Sequence, residues 1–323
     1  MDLNRILLFL AVITPLAVLY QTWGRGAAAS WRLAALAVLI VTALAFCISP
    51  RHAGYAGAGA WFVLLFLPVM VQRRIADLSA AHSYRSAARL SFALQVLHPS
   101  QELRSQTGFF RQMAARQAEG VVPRPLPVNS PWLGTNRLSG CKAVTTLLIV
   151  NAICFAIEGR SSMDPIFLRH IGALDPILVI RDHQYWRLLT ALFLHYGPIH
   201  LLFNLFALYV IGPDLERAVG AGRFFFCYLV SGLGSTVGVV LLSVLRSKWV
   251  QMVGASGCVM GIVGALAGFL LRHRDRLGTR ARLQSILMII AIQVLFDVSI
   301  KEVSMSAHLC GLATGFLIGV SLL

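Results

Sequence analysis

Long runs of apolar residues are the feature that most limits what this chain can fold into. A helix of about 20 such residues spans a bilayer, and roughly nine runs of this kind follow one another along the sequence. They cover residues 4–20, 32–49, 56–71, 143–158, 188–212, 224–245, 253–271, 283–299 and 304–323. The pattern predicts an all-α membrane protein that crosses the bilayer many times.

The composition favours the same class of protein. Apolar residues make up 57% of the chain and charged residues 13%, whereas soluble globular proteins carry about 25% charged residues. The first run follows Arg5 and resembles a signal peptide, but no small-residue cleavage site follows it, so we favour a retained span. The six cysteines form no C-x-x-C pair, which argues against a disulfide framework and against a zinc site.

The basic residues predict an orientation in the membrane. A net charge of +15 could indicate nucleic acid binding, but no aromatic residues alternate with the basic ones as base stacking would require. With the amino terminus outside, 19 of the 28 Lys and Arg residues fall in cytoplasmic segments, as the positive-inside rule requires. The densest group, between Arg272 and Arg282, is the strongest orientation signal. Because membrane topology accounts for the basic residues, we predict no nucleic acid partner.

Changes in composition predict three parts: a three-span segment (1–71), a polar cytoplasmic region (72–142) and a six-span block (143–323). The polar region has the pattern of two amphipathic helices broken near Pro99, with Ser100 as N-cap of the second. The Pro-rich run from Gly120 to Pro131 predicts an extended linker. The two helices could bind a partner or lie on the membrane, but we favour a simple tether.

The connection over 159–187 mixes apolar and charged residues, which predicts a loop lying in the membrane interface. Arg187 is expected to hold a lipid headgroup or a loop carbonyl. Acidic residues in or near the outer segments are read as solvated surface charges: Glu158, Asp164, Asp175 and Glu302. Glu216 and Arg217 are expected to pair at the cytoplasmic surface.

Polar side chains inside membrane spans are costly unless they are paired or line a watery cavity, so each one is a functional candidate. Three groups stand out. In HYGPIHLLFN, His200 and Asn204 are four residues apart and share one helical face, while His195 more often has a supporting than a direct role. In GASGCVMG, Ser256 lies among glycines at the start of a span. In AHLCGLATG, His308 begins the last span.

Glycines predict which of these spans pack together. In lipid, helices approach closely where small residues repeat every four positions. Such repeats follow both Ser256 and His308: Gly257 and Gly261 in one span, and Gly311, Gly315 and Gly319 in the other. Close packing would bring Ser256 and His308 within reach of each other near the outer face, where His200 and Asn204 also lie.

This set of residues favours nucleophilic catalysis. A serine hydroxyl needs a neighbouring base to accept its proton, and His308 is the candidate base. The Asn204 amide, the His200 ring and the Ser256 backbone N–H could stabilise the resulting oxyanion. No acidic residue is clearly placed to orient His308, and Asp297 is read as a gate or interface residue.

Taken together, GASG at Ser256, AHLCGLATG at His308, HLLFN from His200 and YWRLLTALFLH before it resemble the rhomboid family of intramembrane serine proteases. DLER at 214–217, followed by Gly220, is also similar. The resemblance covers about 172–323. It implies a six-helix core with a wet cavity open to the outer side, preceded here by about three extra spans and a cytoplasmic helical linker whose function does not transfer.

The resemblance also implies roles for individual residues. Ser256 and His308 would form a catalytic dyad without a third acid, helped by His200 and Asn204, and Gly254 would let the substrate approach. No metal or other cofactor is implied. The sequence departs from the family at Met260, where an aromatic residue often packs on the base; a methionine side chain fills that space but holds the ring less firmly.

The predicted function is cleavage of transmembrane segments of other proteins within the lipid bilayer, in a bacterial plasma membrane with the site on the extracytoplasmic side. Two other classes remain open. A non-catalytic rhomboid-like protein that binds membrane helices would be expected to lack the serine or the histidine, and both are present. A small-solute transporter would be expected to show an internal repeat, and none is convincing.

Overall fold

The computed structural model describes residues 3–23, 29–121, 138–275, 279–299 and 304–323. Across these ranges the backbone forms helices and no strand, with one isolated bridge between Leu174 and Met252. This confirms the all-α prediction. The chain divides into two compact units, residues 1–135 and 136–323, and each is described by itself.

The first unit begins with apolar helices and ends with a more polar helical hairpin. Its helices are α1 (Leu3–Thr22), α2 (Ala29–Ile48), α3 (Ala53–Trp61), α4 (Leu67–Ala80), α5 (Tyr84–Leu97) and α6 (Gln101–Ala118). A π-helical turn at Phe62–Phe66 joins α3 to α4, so that 53–80 forms one continuous apolar span. Three helical segments of this unit, Leu3–Thr22, Ala29–Ile48 and Ala53–Ala80, are long and apolar enough to cross a membrane, which matches the number of spans predicted here.

Helices α5 and α6 confirm the two amphipathic helices predicted in the polar region. The break falls at 98–100, and the Ser100 hydroxyl accepts a hydrogen bond from the Leu103 backbone N–H at 3.2 Å. This is the N-cap interaction that the sequence predicts. The inner faces bury Leu94, Leu103 and Phe110. Most of the Pro-rich run, from residue 122 onward, lies outside the described residues.

In its described residues, the second unit holds six long helices and several short ones. Its helices are α7 (Lys142–Glu158), α8 (Pro165–Ile171), α9 (Pro176–Arg181), α10 (Arg187–Thr190), α11 (Gly197–Val219), α12 (Ala221–Arg246), α13 (Ser256–Arg272), α14 (Thr279–Ser299) and α15 (Met305–Ser321). Over the described parts of both units, seven helical segments are long and apolar enough to cross a membrane, and α13 and α15 are shorter apolar helices.

One predicted boundary is wrong. The fifth span was expected to start at 188, but α11 begins at Gly197. Gly197 has a φ of +82°, which places it in a turn, and Pro198 lacks the N–H that a helix interior needs. A proline is well suited to the first turn of a helix, so the new helix starts there. Residues 187–196 form α10 and turns.

Three of the acidic residues that were predicted to be solvated or surface charges are buried instead, so the prediction is wrong for these three. Glu158 and Glu216 are 2% and 3% exposed, and Asp175 is 9% exposed. Each accepts backbone N–H groups. Glu216 accepts from Ala143 and Val144 at 2.9 and 2.8 Å, which satisfies donors in the first turn of α7 that have no partner within the helix. Glu302 lies outside the described residues.

The connection between α7 and α11 is tied down by buried polar contacts. Asp175 caps α9 and pairs with Arg169 at 2.7 Å. Arg187 donates to the carbonyl oxygens of Arg169 and Ala173 at 2.6 and 2.9 Å, which confirms the loop-carbonyl role predicted for it. Burial lowers the pKa of Arg187, against a smaller opposing effect of Asp175. This connection is therefore built from short helices rather than an open loop.

The glycine repeats on α13 and α15 face each other, as predicted. A Cβ atom added at Gly311 or Gly315 would overlap with the carbonyl oxygen of Gly257 or Gly261, respectively, and one at Gly319 would overlap with that of Ala265. The two backbones are in direct contact along this seam. Since Ser256 and His308 lie in the first turns of α13 and α15, the seam sets their positions.

Candidate functional site

Ser256 is the first residue of α13, and its position depends on an unusual backbone two residues before it. Gly254 has a φ of +129°, which L side chains rarely adopt, and its N–H donates to the Ala191 carbonyl at 2.9 Å. The turn presents the Ser256 side chain in a partly exposed position. N–H groups in the first turn of a helix have no intrahelical partner, so the Ser256 amide is available to an anion.

His308 lies in the first turn of α15 and is 5% exposed. The start of this helix is held against α12, because the Ser235 hydroxyl donates to the Ala307 carbonyl at 2.8 Å. Among the described residues no hydrogen bond joins the Ser256 hydroxyl to His308. The seam brings the two residues to adjacent first turns, and nucleophile–base hydrogen bonds are often looser in a free enzyme than in its substrate complex.

His200 projects from the first turn of α11 toward Gly254. The Tyr196 backbone N–H donates to His200 Nδ1 at 3.4 Å, so a neutral ring carries its proton on Nε2. A Cβ atom on Gly254 would lie 2.8 Å from His200 Nε2 and 3.7 Å from Ser256 Oγ. The space kept free by the glycine is therefore bordered by an N–H donor and by the serine hydroxyl.

Asn204 lies one turn after His200 on the same face of α11 and is buried. Its side-chain amide donates to the His200 carbonyl at 3.0 Å. An amide nitrogen carries two hydrogens, so one N–H remains for a second acceptor.

His195 is fully buried beside these residues, with its ring centroid 5.4 Å from that of His200. Its backbone N–H donates to both carboxylate oxygens of Glu158, at 3.2 and 3.1 Å. Burial, and then the neighbouring His200, lower the pKa of His195 to about 3, so its ring is neutral near pH 7. These contacts favour the supporting role over a direct one.

Asp297 was not expected to orient His308, and the structure corrects this. His308 Nδ1 lies 2.8 and 2.9 Å from the two carboxylate oxygens of Asp297. The Gln293 amide donates to the same carboxylate at 2.7 Å. The resemblance implied a dyad without a third acid, and this expectation is wrong. Helices α14 and α15 pack as neighbours, which brings Asp297 and His308 into contact although they are eleven positions apart in the sequence. The sequence did contain a signal for this contact, because Gln293 and Asp297 are two polar residues one helical turn apart in an otherwise apolar span.

Met260, where the family often has an aromatic residue, is 6% exposed and belongs to the main apolar core of this unit. In the described part of the chain, no group of three or more His, Cys, Asp or Glu residues is arranged to hold a metal ion.

Comparisons with known proteins identify the family. Residues 182–323 match the model of the Rhomboid domain. RHOMBOID-like protein 1 of Arabidopsis thaliana is 37% identical over 226 residues, which cover 61% of this chain and 54% of that protein. Rhomboid protease GluP of Bacillus subtilis (strain 168) is 35% identical over 151 residues, covering 47% of this chain and 28% of GluP. The chain thus spans about half or less of the length of these two relatives.

The match spans a larger share of YdcA, a rhomboid-named protein of the same bacterium. It is 35% identical over 141 residues, which are 44% of this chain and 69% of YdcA. The matched region includes the glycine seam and the residues around Ser256 and His308, and the helices are those of an integral membrane protein. The chain therefore belongs to the rhomboid family.

Proposed function

We propose that this protein is an intramembrane serine endopeptidase that cleaves transmembrane segments of other membrane proteins. The observation that carries the proposal is the arrangement around Gly254. Ser256 Oγ and His200 Nε2 border the same glycine-made space, and the buried imidazole of His308 lies on the adjacent first turn. Two Bacillus subtilis relatives carry the word protease in their names, which supports the same activity.

The proposed reaction begins when His308 accepts the proton of Ser256 Oγ as the oxygen attacks a substrate carbonyl carbon. The resulting oxyanion would accept hydrogen bonds from His200 Nε2, the Ser256 N–H and the remaining Asn204 N–H. Each such donor is worth about 2.7–4 kcal/mol in related chemistry. Collapse of the intermediate breaks the C–N bond, and the imidazolium gives its proton to the departing amine.

Water then completes the cycle. His308 accepts a proton from a water molecule while the water oxygen attacks the Ser256 ester. Collapse of the second intermediate releases the new carboxyl terminus, and the serine oxygen regains its proton from the imidazolium. The catalytic assignment is thus Ser256 as nucleophile and His308 as general base and acid.

The substrate is a transmembrane helix that unwinds near its outer end, because a carbonyl within a helix is hydrogen-bonded and covered by the chain around it. Under the proposed orientation, the starts of α11, α13 and α15 all face away from the cytoplasm. In a bacterial cell this membrane would be the plasma membrane.

The test is cleavage of a fluorescently labelled single-span protein by the full-length chain reconstituted in liposomes. Ser256→Ala is expected to lower the cleavage rate by at least about 10³-fold, since removal of a catalytic serine leaves little of the rate enhancement. Ser321→Ala, at the exposed end of α15, is the matched control and should cleave normally.

A fluorophosphonate probe provides a second measurement. We expect it to label the wild type at Ser256 and to leave Ser256→Ala unlabelled. Full cleavage by Ser256→Ala would disprove the catalytic assignment. Binding of the labelled helix without cleavage or probe labelling would instead favour a non-catalytic helix-binding protein.

A further inference from the structure

The carboxylate of Asp297 is buried against an imidazole in the apolar part of the molecule. The side chains of Asp297 and His308 are 1% and 7% exposed, and Nδ1 lies 2.8 Å from the nearer oxygen. An isolated carboxylate at such a depth is costly, so its ionised form depends on the partners it has. Those partners are His308 and the amide of Gln293, one turn earlier on α14.

This contact determines which nitrogen of His308 can act as a base. An ionised carboxylate can only accept hydrogen bonds, so the Nδ1 that faces it must carry a proton. The Nε2 atom of the neutral ring is then unprotonated and can accept the hydroxyl proton of Ser256. In the other tautomer Nε2 is already protonated, and no proton could be transferred to it.

The same contact is an attachment point for α14. In the described part of this helix only three side chains are buried: Thr279, Ile286 and Asp297. Thr279 is the first residue of the helix and Ile286 lies in its first half, whereas Asp297 is two residues before the last one, Ser299, which is the outer end under the proposed orientation. Polar contacts of α14 with α15 at the outer end are therefore made by the face that carries Gln293 and Asp297.

We propose that Asp297 is a positioning residue that couples the packing of α14 to the protonation pattern of His308. When α14 lies against α15, the carboxylate holds the proton on Nδ1. When the outer end of α14 moves away, as entry of a substrate helix beside it would require, the contact is broken and the base loses its orientation. This inference rests on the proposed function.

The first test compares Asp297→Asn with the wild type in the liposome cleavage assay. Asparagine keeps the size of the side chain but can present an N–H to Nδ1, which favours the unproductive tautomer. We expect kcat to fall by at least about 10²-fold, toward the roughly 10⁴-fold loss for the same change in a Ser-His-Asp triad, while KM changes by less than about threefold. Ser299→Ala, on an exposed site two residues away, should match the wild type.

The second test measures the position of α14. Spin labels are attached to cysteines at Val298 and Leu309, both exposed, in a variant without the native cysteines. Asp297→Asn is expected to broaden the distance distribution toward longer values. An unchanged kcat or an unchanged distance distribution would each overturn the coupling. If the wild-type protein, measured in parallel, showed no cleavage at all, the proposed function itself would fail. That result differs from a failure of the coupling alone, in which the wild type cleaves and Asp297→Asn cleaves equally well.

Discussion

At the scale of single residues, Gly254 decides whether the site can exist. Its φ of +129° and the closeness of His200 leave no room for a side chain. The same absence of a Cβ atom creates the space between His200 Nε2 and Ser256 Oγ where an oxyanion would lie. One residue therefore provides both the turn before the proposed nucleophile and the space that its reaction needs.

Gly254→Ala is expected to lower the rate of fluorophosphonate labelling at Ser256 by at least about tenfold. The added Cβ would lie 2.6 Å from His200 Cε1, and a non-glycine residue in a strained backbone conformation costs roughly 1–3 kcal/mol. Gly59→Ala is the control, because among the described residues no atom outside its own stretch of helix lies within 4 Å of the added Cβ. A wild-type labelling rate in Gly254→Ala would contradict the geometry described for His200.

At the scale of elements, the seam between α13 and α15 is the contact on which the site depends. Its glycines replace side-chain packing by direct contact between backbones, which fixes the separation of the two helices. The buried side chains of α13 also pack on α11, α12 and α14, which makes it the central element of this unit. The proposed nucleophile and base each lie in the first turn beside this rigid contact.

Gly315→Ala is predicted to lower the free energy of unfolding by about 1–3 kcal/mol, as overpacking of a tight interior does. Its Cβ would overlap with the Gly261 carbonyl, and backbone atoms cannot move aside as a flexible side chain can. The measurement is unfolding of the purified protein in mixed detergent micelles.

Gly222→Ala, in α12, is the matched control for that substitution. Within the described part of the chain its Cβ would meet no atom of another segment within 4 Å, so the change should be neutral or stabilise the helix by up to about 1 kcal/mol. Equal stabilities of Gly315→Ala and the wild type would show that the two helices can separate without cost.

At the scale of the whole molecule, the distribution of charge predicts how the chain lies in the membrane. Lys and Arg residues gather on the side that the positive-inside rule assigns to the cytoplasm, including those after α13. An ion pair between Arg282 and Asp214, 2.9 Å apart, lies on that same side. The proposed catalytic residues then lie toward the opposite face.

This orientation can be measured with single cysteines in a variant without the native ones. Lys248→Cys, in the connection after α12, is expected to react with a membrane-impermeant maleimide in intact cells. Asp275→Cys, after α13, should react only once the cells are permeabilised. Both positions are exposed, so access through the membrane is what differs between them. The opposite labelling pattern would reverse the proposed topology.

Hydropathy and glycine spacing were sufficient to predict the class of fold and the packing of one helix pair. The apolar runs predict helices because their length matches the bilayer, and the seam follows because only small residues permit such close approach. Ser100 was likewise predictable as the N-cap of α6, because the backbone N–H that its hydroxyl accepts lies only three residues away. In each case the information is local, or repeats along one helix.

The roles of Asp297, Glu158 and Glu216 were decided by the tertiary structure. Glu216 accepts the backbone N–H of Ala143, 73 positions away, and Glu158 accepts that of His195, 37 positions away. A backbone N–H is common to every residue but proline, so no sequence pattern marks it as the partner. The sequence by itself determined which segments are long and apolar enough to cross a membrane, whereas only their packing determined which buried charges have partners, because those partners come from distant parts of the chain.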